Sequence, residues 1–171
     1  KQFSVIAGLR CDYHEKYGTN LTPKASVMYK IFPFTVRFNY ARGYRSPSIK
    51  ELYMNWDHLG MFWIYGNSKL KPETNNYISL SGEYVNSWIN INANVYSNWF
   101  RNKIEGMWSN DQTELHYINI GKSRLAGVET MCKIQINRHI NVHGAYNYLY
   151  TSKDADGVRL SSSSPHSGNI R

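Results

Sequence analysis

Five side chains with complementary chemistry lie close together between residues 44 and 63. They are Tyr44, Arg45, Trp56, His58 and Trp63. A neutral imidazole is a common metal ligand, aromatic rings can cover a flat ligand, and an arginine can pair with an anionic group. Together these residue types could bind a small molecule, with His58 as a candidate metal ligand. The alternative is a solvated histidine among aromatic side chains that pack the segment against itself.

Signals for catalysis are weak by comparison. The chain has neither a glycine-rich phosphate loop nor the His-Glu-x-x-His pattern of metalloproteases. The acidic run 154–157 lacks the later acidic ligand of an EF-hand, and the serine run 161–164 is typical of a loop. Cys11 and Cys132 lack zinc-site spacing and are expected to be unpaired. We therefore expect that the protein is not an enzyme.

Alternating strands surround the aromatic segment and must position it. Seven stretches place apolar side chains at every second position, and the residues between them are mostly polar. Because successive side chains of a strand point to opposite faces, each stretch predicts a strand with one apolar face. The stretches are 3–13, 24–31, 34–41, 77–84, 89–96, 128–136 and 140–150, and an eighth strand is expected near Pro165.

The connections between these strands indicate a membrane barrel. Tight turns are expected near 32–33, 85–87 and 137–139, and long connections over 14–22, 44–75, 109–114 and 152–165. A transmembrane β-barrel has short turns at its periplasmic rim and long loops at its extracellular rim. The alternation of short and long connections therefore predicts an all-β, antiparallel transmembrane barrel wall with the tight turns in the periplasm.

The alternation also assigns side chains to the two faces of the predicted wall. Apolar positions are expected to face lipid, and polar positions the lumen. The first set includes Val5, Leu9, Val36, Phe38, Ile78, Leu80, Val128 and Ile134, and the second includes Arg10, Arg37, Glu83, Asn92 and Glu129. Aromatic residues near the strand ends are typical of the belts at membrane interfaces, although tyrosine is also a good strand former.

Composition and charge narrow the possible partners. No apolar run reaches the roughly 18 residues that a transmembrane helix needs. The formal net charge of +8 is compatible with nucleic-acid binding, but the basic residues are dispersed and form no known nucleic-acid motif. We therefore expect no nucleic-acid partner. A basic lumen that attracts anionic ligands is one interpretation, and an accident of where the chain is cut is the other.

The longest connection carries a helix signal and a family resemblance. Ser48-Ile49-Lys50-Glu51 matches a capping box, which predicts a short helix over 47–55. The stretch 43–53, followed by 66–73, resembles the long extracellular loop of TonB-dependent outer-membrane receptors. The stretches 8–10 and 23–26 are similar to successive strands of that family, and 117–121 with 127–129 to a further strand pair. The resemblance covers nearly the whole chain.

A narrower resemblance concerns the ligand. Haem receptors of this family carry a Tyr-or-Phe-Arg-Ala-Pro box, a histidine and an Asn-Pro-Asp-or-Asn-Leu box. Stretch 44–47, His58 and stretch 67–70 stand in those places, with departures at Ser46 and Ser68. Receptors for siderophores and cobalamin share partial versions of the boxes. The resemblance implies that His58 binds haem iron, that Trp56 and Trp63 cover the porphyrin, and that Arg45 meets a propionate.

The resemblance implies an active transporter in the outer membrane of a Gram-negative bacterium. Residues 1–171 would be a partial barrel domain, about seven or eight strands of a 22-stranded barrel, with the plug domain and remaining strands absent. The transported ligand would be haem or a ferric siderophore, with no tightly bound cofactor. The partners would be outer-membrane lipid and, through the missing N-terminal plug, the TonB complex. The alternatives are a passive porin-like channel, a barrel-anchored surface-binding protein and a cobalamin receptor of the same family.

Overall fold

The computed structural model describes residues 2–152 and 164–171, which form a ten-stranded sheet and one short helix. The elements in chain order are β1 (Phe3–His14), β2 (Gly18–Ile31), β3 (Phe34–Arg45), α1 (Ile49–Tyr53), β4 (Asn55–Asp57), β5 (Trp63–Tyr65), β6 (Glu73–Val85), β7 (Ile89–Trp108), β8 (Glu114–Gln135), β9 (Asn141–Thr151) and β10 (His166–Ile170). The predicted all-β fold is confirmed.

Eight of these strands form a continuous meander. Its order is β1-β2-β3-β6-β7-β8-β9-β10, and every neighbouring pair in it is antiparallel. The predicted barrel wall is therefore confirmed as a partial barrel, and β10 is the strand expected near Pro165. The two short strands lie inside the long connection, where β4 pairs with β5 and β5 pairs in parallel with β8.

The register confirms the predicted faces. Phe38 lies opposite Leu80, Leu80 opposite Val95, and Val95 opposite Val128, so these side chains form one row across four strands. The polar positions form rows on the other face, where Glu83 lies opposite Asn92 and Asn94 opposite Glu129. Leu80 is 54% exposed, and a surface made of such residues needs lipid to cover it.

The apolar band has the height of a membrane core. On β7 it extends from Ile89 to Trp99 on the outward face. With a rise of about 3.3 Å per residue this distance is roughly 33 Å along the strand. A strand tilt near 40° reduces it to about 25 Å along the membrane normal, which is the height of the apolar band in outer-membrane barrels.

The predicted tight turns are confirmed, but two predicted long connections are wrong. Turns of two, three and five residues join β2 to β3, β6 to β7, and β8 to β9. The connection predicted over 14–22 is the short turn 15–17, and that over 109–114 is the turn 109–113. At the end of the sheet where these two turns lie, strand pairing continues beyond the apolar band. No lipid covers the strands there, so apolar and polar side chains no longer need to alternate. The stretches 117–121 and 127–129 accordingly belong to one strand, β8, and not to a strand pair.

Residues 46–72 form the long connection between β3 and β6 and are called the loop segment below. They confirm the long connection predicted over 44–75, and they mark the upper end of the sheet, opposite the tight turns. Most of the predicted connection 152–165, with the runs 154–157 and 161–163, lies outside the described residues. Within the described residues, no helix is long and apolar enough to span a membrane.

Candidate functional site

One arginine and two glutamates close the base of the loop segment. Arg45 ends β3 and lies opposite Glu73, the first residue of β6. Its guanidinium donates to the two carboxylate oxygens of Glu51 at 2.9 and 3.0 Å, and to Glu73 at 3.2 Å. The Ile104 N–H donates to the same Glu73 oxygen at 3.0 Å. Through Arg45 and Glu73, these contacts join the two strands that flank the loop to α1 and to β7.

The charges of this cluster shift one another's pKa. Burial acts to raise the pKa of Glu51, but hydrogen bonds from Ser48 and Arg45 outweigh it and hold that pKa below its ordinary value. Burial acts to lower the pKa of Arg45, and Glu51 and Glu73 outweigh it in the opposite direction. Arg45, which was predicted to meet a propionate, is therefore engaged by carboxylates of this chain.

The capping box of α1 is confirmed, although the helix is shorter than the predicted 47–55. The Ser48 hydroxyl accepts the Glu51 N–H at 3.3 Å, and the Glu51 carboxylate accepts the Ser48 N–H at 2.7 Å. A helix of five residues is not stable alone, so contacts with the rest of the chain must hold it. The end of α1 is held by the following stretch, since the Gly66 N–H donates to the Met54 carbonyl at 2.5 Å.

Only glycine fits at position 66. A β-carbon there would lie 2.7 Å from the backbone nitrogens of Tyr53 and Met54, far inside van der Waals contact. The next residue, Asn67, donates its backbone N–H to the Glu51 carbonyl at 2.8 Å. The glycine therefore lets the returning strand of the loop segment lie directly against the helix.

A small apolar core fixes the loop segment to the inner face of β7 and β8. Leu52 and Leu70 pack with Ile104 and with the half-buried Tyr117. Leu70 is 2% exposed and is the most deeply buried large side chain of the described residues. Ile104 lies on the face of β7 that carries the lumen-facing asparagines lower down. The loop segment is therefore folded inward, over the upper end of the polar face.

Two asparagine side chains hold the loop segment against β8. The Asn67 side chain donates to the Tyr117 carbonyl at 3.1 Å. The Asn119 carboxamide accepts the Lys71 N–H at 2.8 Å and donates to the Lys71 carbonyl at 2.9 Å. Asn67 and Leu70, which belong to the second sequence box, thus hold the loop in place.

A β-hairpin projects from this anchored base. β4 and β5 pair antiparallel, and the Met61 N–H donates to the His58 carbonyl at 2.9 Å. Leu59 and Gly60 have φ of 54° and 74°, as in the type I′ turns that suit the twist of a hairpin. The β5 strand then adds in parallel to the tip of β8, where Ile64 lies opposite Leu115. The hairpin is therefore held at the upper edge of the sheet.

The hairpin carries an aromatic cluster around His58. The His58 ring lies 4.8 Å from the Trp56 ring and 4.8 Å from the Phe62 ring, measured between centroids. Phe62 in turn lies 5.0 Å from Trp108, at the end of β7. The Nδ1 atom of His58 is buried and has no hydrogen-bond partner among the described residues. Trp56 remains 45% exposed, so the cluster presents an open aromatic surface beside the imidazole.

A second aromatic stack lies beside this cluster. The rings of Trp63 and Tyr65 are 6.0 Å apart and nearly parallel, and Tyr65 stacks on His116 at 5.0 Å. His116 also contacts the Glu114 carboxylate at 2.8 Å. Trp63 therefore belongs to a stack of its own and not to the rings that contact His58.

Tyr44 lies at the base of the loop segment, within β3. Its hydroxyl is buried and has no hydrogen-bond partner within residues 2–152 and 164–171. Burial raises the pKa of Tyr44, and the nearby Asp12 and Tyr17 raise it further. Of the five predicted residues, the structure brings Trp56 and His58 into contact, places Trp63 in the adjacent stack, and leaves Tyr44 and Arg45 at the base.

Sequence reasoning missed Tyr65, Trp108 and His116 as members of the site. Trp108 and His116 belong to β7 and β8 and are remote in sequence from the predicted residues. No local sequence pattern predicts such contacts, because they depend on the pairing of β5 with β8. Within the described residues, no group of three or more His, Cys, Asp or Glu converges as a metal site would.

A comparison with family models shows the protein family of this chain. The model described as "TonB dependent receptor-like, beta-barrel" matches residues 1–171, which is the whole chain. The chain belongs to the TonB-dependent receptor family. The predicted resemblance is thereby confirmed, as is the place of this chain in the outer membrane of a Gram-negative bacterium.

The curated relatives of this TonB-dependent receptor chain are named as an outer membrane protein, a receptor and a transporter. The chain is 25% identical to the iron-regulated outer membrane virulence protein of Vibrio cholerae, over 90% of the chain and 26% of that protein. It is 26% identical to the ferrienterobactin receptor of Escherichia coli, over 92% of the chain and 24% of that protein. It is 30% identical to the vitamin B12 transporter of Vibrio cholerae, over 75% of the chain and 20% of that protein. The chain thus spans about a quarter or less of the length of these relatives.

Solved structures show the same fold. The ferric enterobactin receptor of Pseudomonas aeruginosa superposes on 99% of the chain with a TM-score of 0.80, at 21% identity and over 27% of that protein. The siderophore receptor PirA of the same organism superposes on 88% of the chain with a TM-score of 0.75, over 29% of that protein. The ten-stranded sheet is accordingly a section of a receptor barrel.

Proposed function

We propose that this chain is the ligand-capturing part of an outer-membrane receptor that actively imports an iron complex. The observation that carries the proposal is the loop segment, whose base packs on the polar face and whose hairpin presents exposed aromatic rings at the upper edge of the sheet. A ligand from outside the cell would bind these rings before it enters the lumen. The energy for release would come from the TonB complex, acting through an N-terminal plug domain of the whole receptor.

Capture by this loop fits active uptake better than passive diffusion. A porin-like constriction needs rings of charged side chains at its narrowest point. At the base of the loop segment, Arg45 is instead paired with Glu51 and Glu73. Its exposed side chains include Trp56, Leu59 and Met61, which suit a ligand with apolar or aromatic surfaces.

A ferric siderophore is the ligand class that the names of the relatives favour. Two of the similar proteins are named as enterobactin receptors and one as a siderophore receptor. Exposed tryptophan rings can stack on the aromatic groups of such ligands, and the net charge of +8 would attract an anionic complex. Uptake of cobalamin is supported only by the similarity to the vitamin B12 transporter.

Haem is the second candidate, and His58 is the observation that favours it. Its Nδ1 atom is buried without a partner, and aromatic rings lie on two sides of the imidazole. Such an imidazole could bind haem iron as an axial ligand, and Trp56 could cover a porphyrin face. Arg45 would contribute only indirectly, by holding the base of the loop.

Growth on defined iron sources tests both candidates in the full-length receptor. We expect Trp56→Ala to impair growth on a ferric siderophore, because it removes the most accessible ring beside His58. If haem is the ligand, His58→Ala should lower haem-dependent uptake by roughly tenfold or more, equivalent to about 1.4 kcal/mol. The control is Trp88→Ala, which removes an exposed tryptophan at the opposite end of the sheet.

The outcomes separate the ligand classes. A loss confined to haem in His58→Ala would assign the axial-ligand role, and a loss confined to the siderophore in Trp56→Ala would assign the siderophore. A loss confined to cobalamin would move the function to that class. Growth equal to the control on all three ligands, with normal surface levels, would overturn the role of the loop segment in capture.

A further inference from the structure

Three cations lie on the outward face of the sheet, just above its apolar band. Arg101 belongs to β7, and Lys122 and Arg124 belong to β8. They continue the rows of the lipid-facing side chains, since Trp99 lies opposite Arg124 and Arg101 lies directly opposite Lys122. Like charges directly opposite each other destabilise a strand pair. This face therefore carries an electrostatic cost that an anion would offset.

The described residues do not neutralise these charges. Within residues 2–152 and 164–171, none of the three cations forms an ion pair with a carboxylate. Arg124 donates to the Ser97 hydroxyl at 2.9 Å, and its guanidinium lies 5.2 Å from the centre of the Trp99 ring. These contacts orient Arg124 without neutralising it. A cationic surface therefore remains at the level of the upper aromatic belt.

A groove of about 560 Å³ opens immediately below the cations on the same face. The small side chains of Ser97 and Ala126, which lie opposite each other, leave this space between larger neighbours. The larger neighbours include Ile78, Leu80, Val128, Tyr148 and Tyr150. Trp99 and Arg124 line the groove and also line a cleft of about 290 Å³ with Arg101 and Lys122. The apolar groove is therefore continuous with the cationic cleft.

We propose that this surface binds one phosphorylated glycolipid of the outer leaflet of the outer membrane. An acyl chain would occupy the groove, and a phosphate would lie among Arg101, Lys122 and Arg124. Arginine suits this role because its planar guanidinium can pair with two phosphate oxygens. At a rise of about 3.3 Å per residue, Arg124 lies about 7 Å above the Ser97–Ala126 pair, and Arg101 and Lys122 lie about 13 Å above it. The cations are therefore at the level of a headgroup when an acyl chain fills the groove.

Lipid is the occupant that the geometry favours over a soluble anion. The groove faces outward, in the row of side chains that the membrane covers, so an iron complex in the lumen does not reach it. An inorganic anion could occupy the cleft but would leave the groove empty. A molecule that joins a phosphate to an acyl chain fills both.

Lipid binding to the full-length receptor tests the proposal. The receptor is purified in neutral detergent and titrated with bisphosphorylated lipid A, and native mass spectrometry counts the bound molecules. We expect the triple variant Arg101→Gln, Lys122→Gln, Arg124→Gln to bind this lipid more weakly, by roughly fivefold for each cation removed. The matched control changes three cations of the polar face, Lys24→Gln, Arg37→Gln and Lys133→Gln, and should bind as the unmodified receptor does.

Two further arms decide between lipid and anion. Ala126→Trp, which fills the groove, should weaken lipid A binding, and lipid A without phosphates should bind as weakly to the unmodified receptor as the bisphosphorylated form binds to the triple variant. Inorganic phosphate should not compete at equal concentration. Equal losses in the two triple variants, an unaffected Ala126→Trp receptor, or full competition by inorganic phosphate would each overturn the proposal. Heat-modifiable migration on gels confirms that every variant is a folded barrel.

Discussion

The membrane-spanning part of the sheet and its upper end are built on opposite principles. In the spanning part, Leu80 and Val95 face outward and Asn92 and Glu129 face inward, and within the described residues neither face packs against another layer. At the upper end, the loop segment covers the inner face, and the buried apolar side chains of the described residues lie there. They are Leu52, Ile64, Leu70, Ile104 and Ile120.

The difference shows what stabilises each part. The spanning part has ladder hydrogen bonds and depends on lipid to cover its apolar face. The upper end is stabilised instead by a small apolar core, a capped helix and paired charges. Lipid-facing substitutions should therefore affect barrel stability, whereas core substitutions at the upper end should release the loop without changing the barrel.

Leu70→Ala tests the upper end most severely. Leu70 is 2% exposed within the core under the loop segment, and removal of a fully buried leucine side chain costs about 2–5 kcal/mol. We expect the loop segment to become more open while the spanning strands remain intact. Hydrogen exchange of the full-length receptor should show faster exchange at the loop amides and unchanged exchange in β6.

Leu59→Ala is the control for this prediction. Leu59 lies in the same loop but is 86% exposed, so its truncation should change stability by no more than about 0.5 kcal/mol. If the two variants showed equal exchange, the loop segment would not be held by its core. Faster exchange in β6 of Leu70→Ala would show that the two parts are energetically coupled.

Leu80→Arg tests the spanning part. Leu80 lies in the outward row near the middle of the apolar band, where an arginine costs roughly 2–4 kcal/mol. Asn92→Arg places the same side chain on the polar face, where water can solvate it, and should cost far less. The measurement is reversible unfolding of the intact barrel in lipid vesicles. Similar costs at both positions would contradict the assignment of the faces.

The spanning part could be predicted from sequence because its rule is local. A lipid-facing strand must alternate, so Phe38 and Leu80 could be assigned to one face without knowledge of their neighbours. The capping box from Ser48 to Glu51 was equally readable, because all its contacts lie within four residues.

The upper end could not be predicted in the same way. Its contacts join residues about 50 positions apart, such as Asn67 with Tyr117 and Lys71 with Asn119. Above the membrane, a strand need not alternate apolar and polar residues. The extension of β7 to Trp108 could therefore not be recognised from a periodic sequence pattern. The ion pairs of Arg45 were missed for a related reason, because its partner Glu73 is 28 residues away in the sequence.

Glu51→Gln tests the closed base of the loop segment. The carboxylate of Glu51 accepts bonds from Ser48 and Arg45, and its loss should destabilise α1 by about 1 kcal/mol at neutral pH. Because the pKa of Glu51 is lowered in the folded chain, its contribution is present above the ordinary value of 4.5 and is lost as the pH falls through the lowered value.

Hydrogen exchange at the Leu52 amide, which donates to the Ser48 carbonyl, reports this effect. After correction for intrinsic rates, protection in the unmodified receptor should fall as the solution is acidified below the ordinary glutamate range. In Glu51→Gln it should be lower at neutral pH and insensitive to acid in that range. A parallel loss of protection in both proteins would show that another group titrates.

The turn between β7 and β8 is the site of the smallest expected effect, because the Asp111 carboxylate in it is fully exposed to solvent. The Asp111 carboxylate accepts bonds from the Ser109 hydroxyl at 2.5 Å and from the Thr113 N–H at 3.2 Å. These bonds favour the ionised form and lower the pKa of Asp111 from 3.8 to about 2. The turn should therefore keep this carboxylate's contribution above pH 3.8 and lose it as the pH falls through about 2.

A carboxyl carbon titration of the receptor with labelled aspartate measures this pKa directly. Ser109→Ala removes the donor with the largest effect, so the Asp111 midpoint should move up toward the ordinary aspartate value while the barrel stays folded. This turn contacts the loop segment through Thr113, whose carbonyl accepts the Trp63 N–H at 2.8 Å and whose own N–H donates to Asp111 at 3.2 Å. A midpoint that Ser109→Ala leaves unchanged would show that the hydroxyl does not cause the low pKa. A midpoint that responds to Leu70→Ala would show that the contact between Thr113 and Trp63 transmits the opening of the loop segment to this turn.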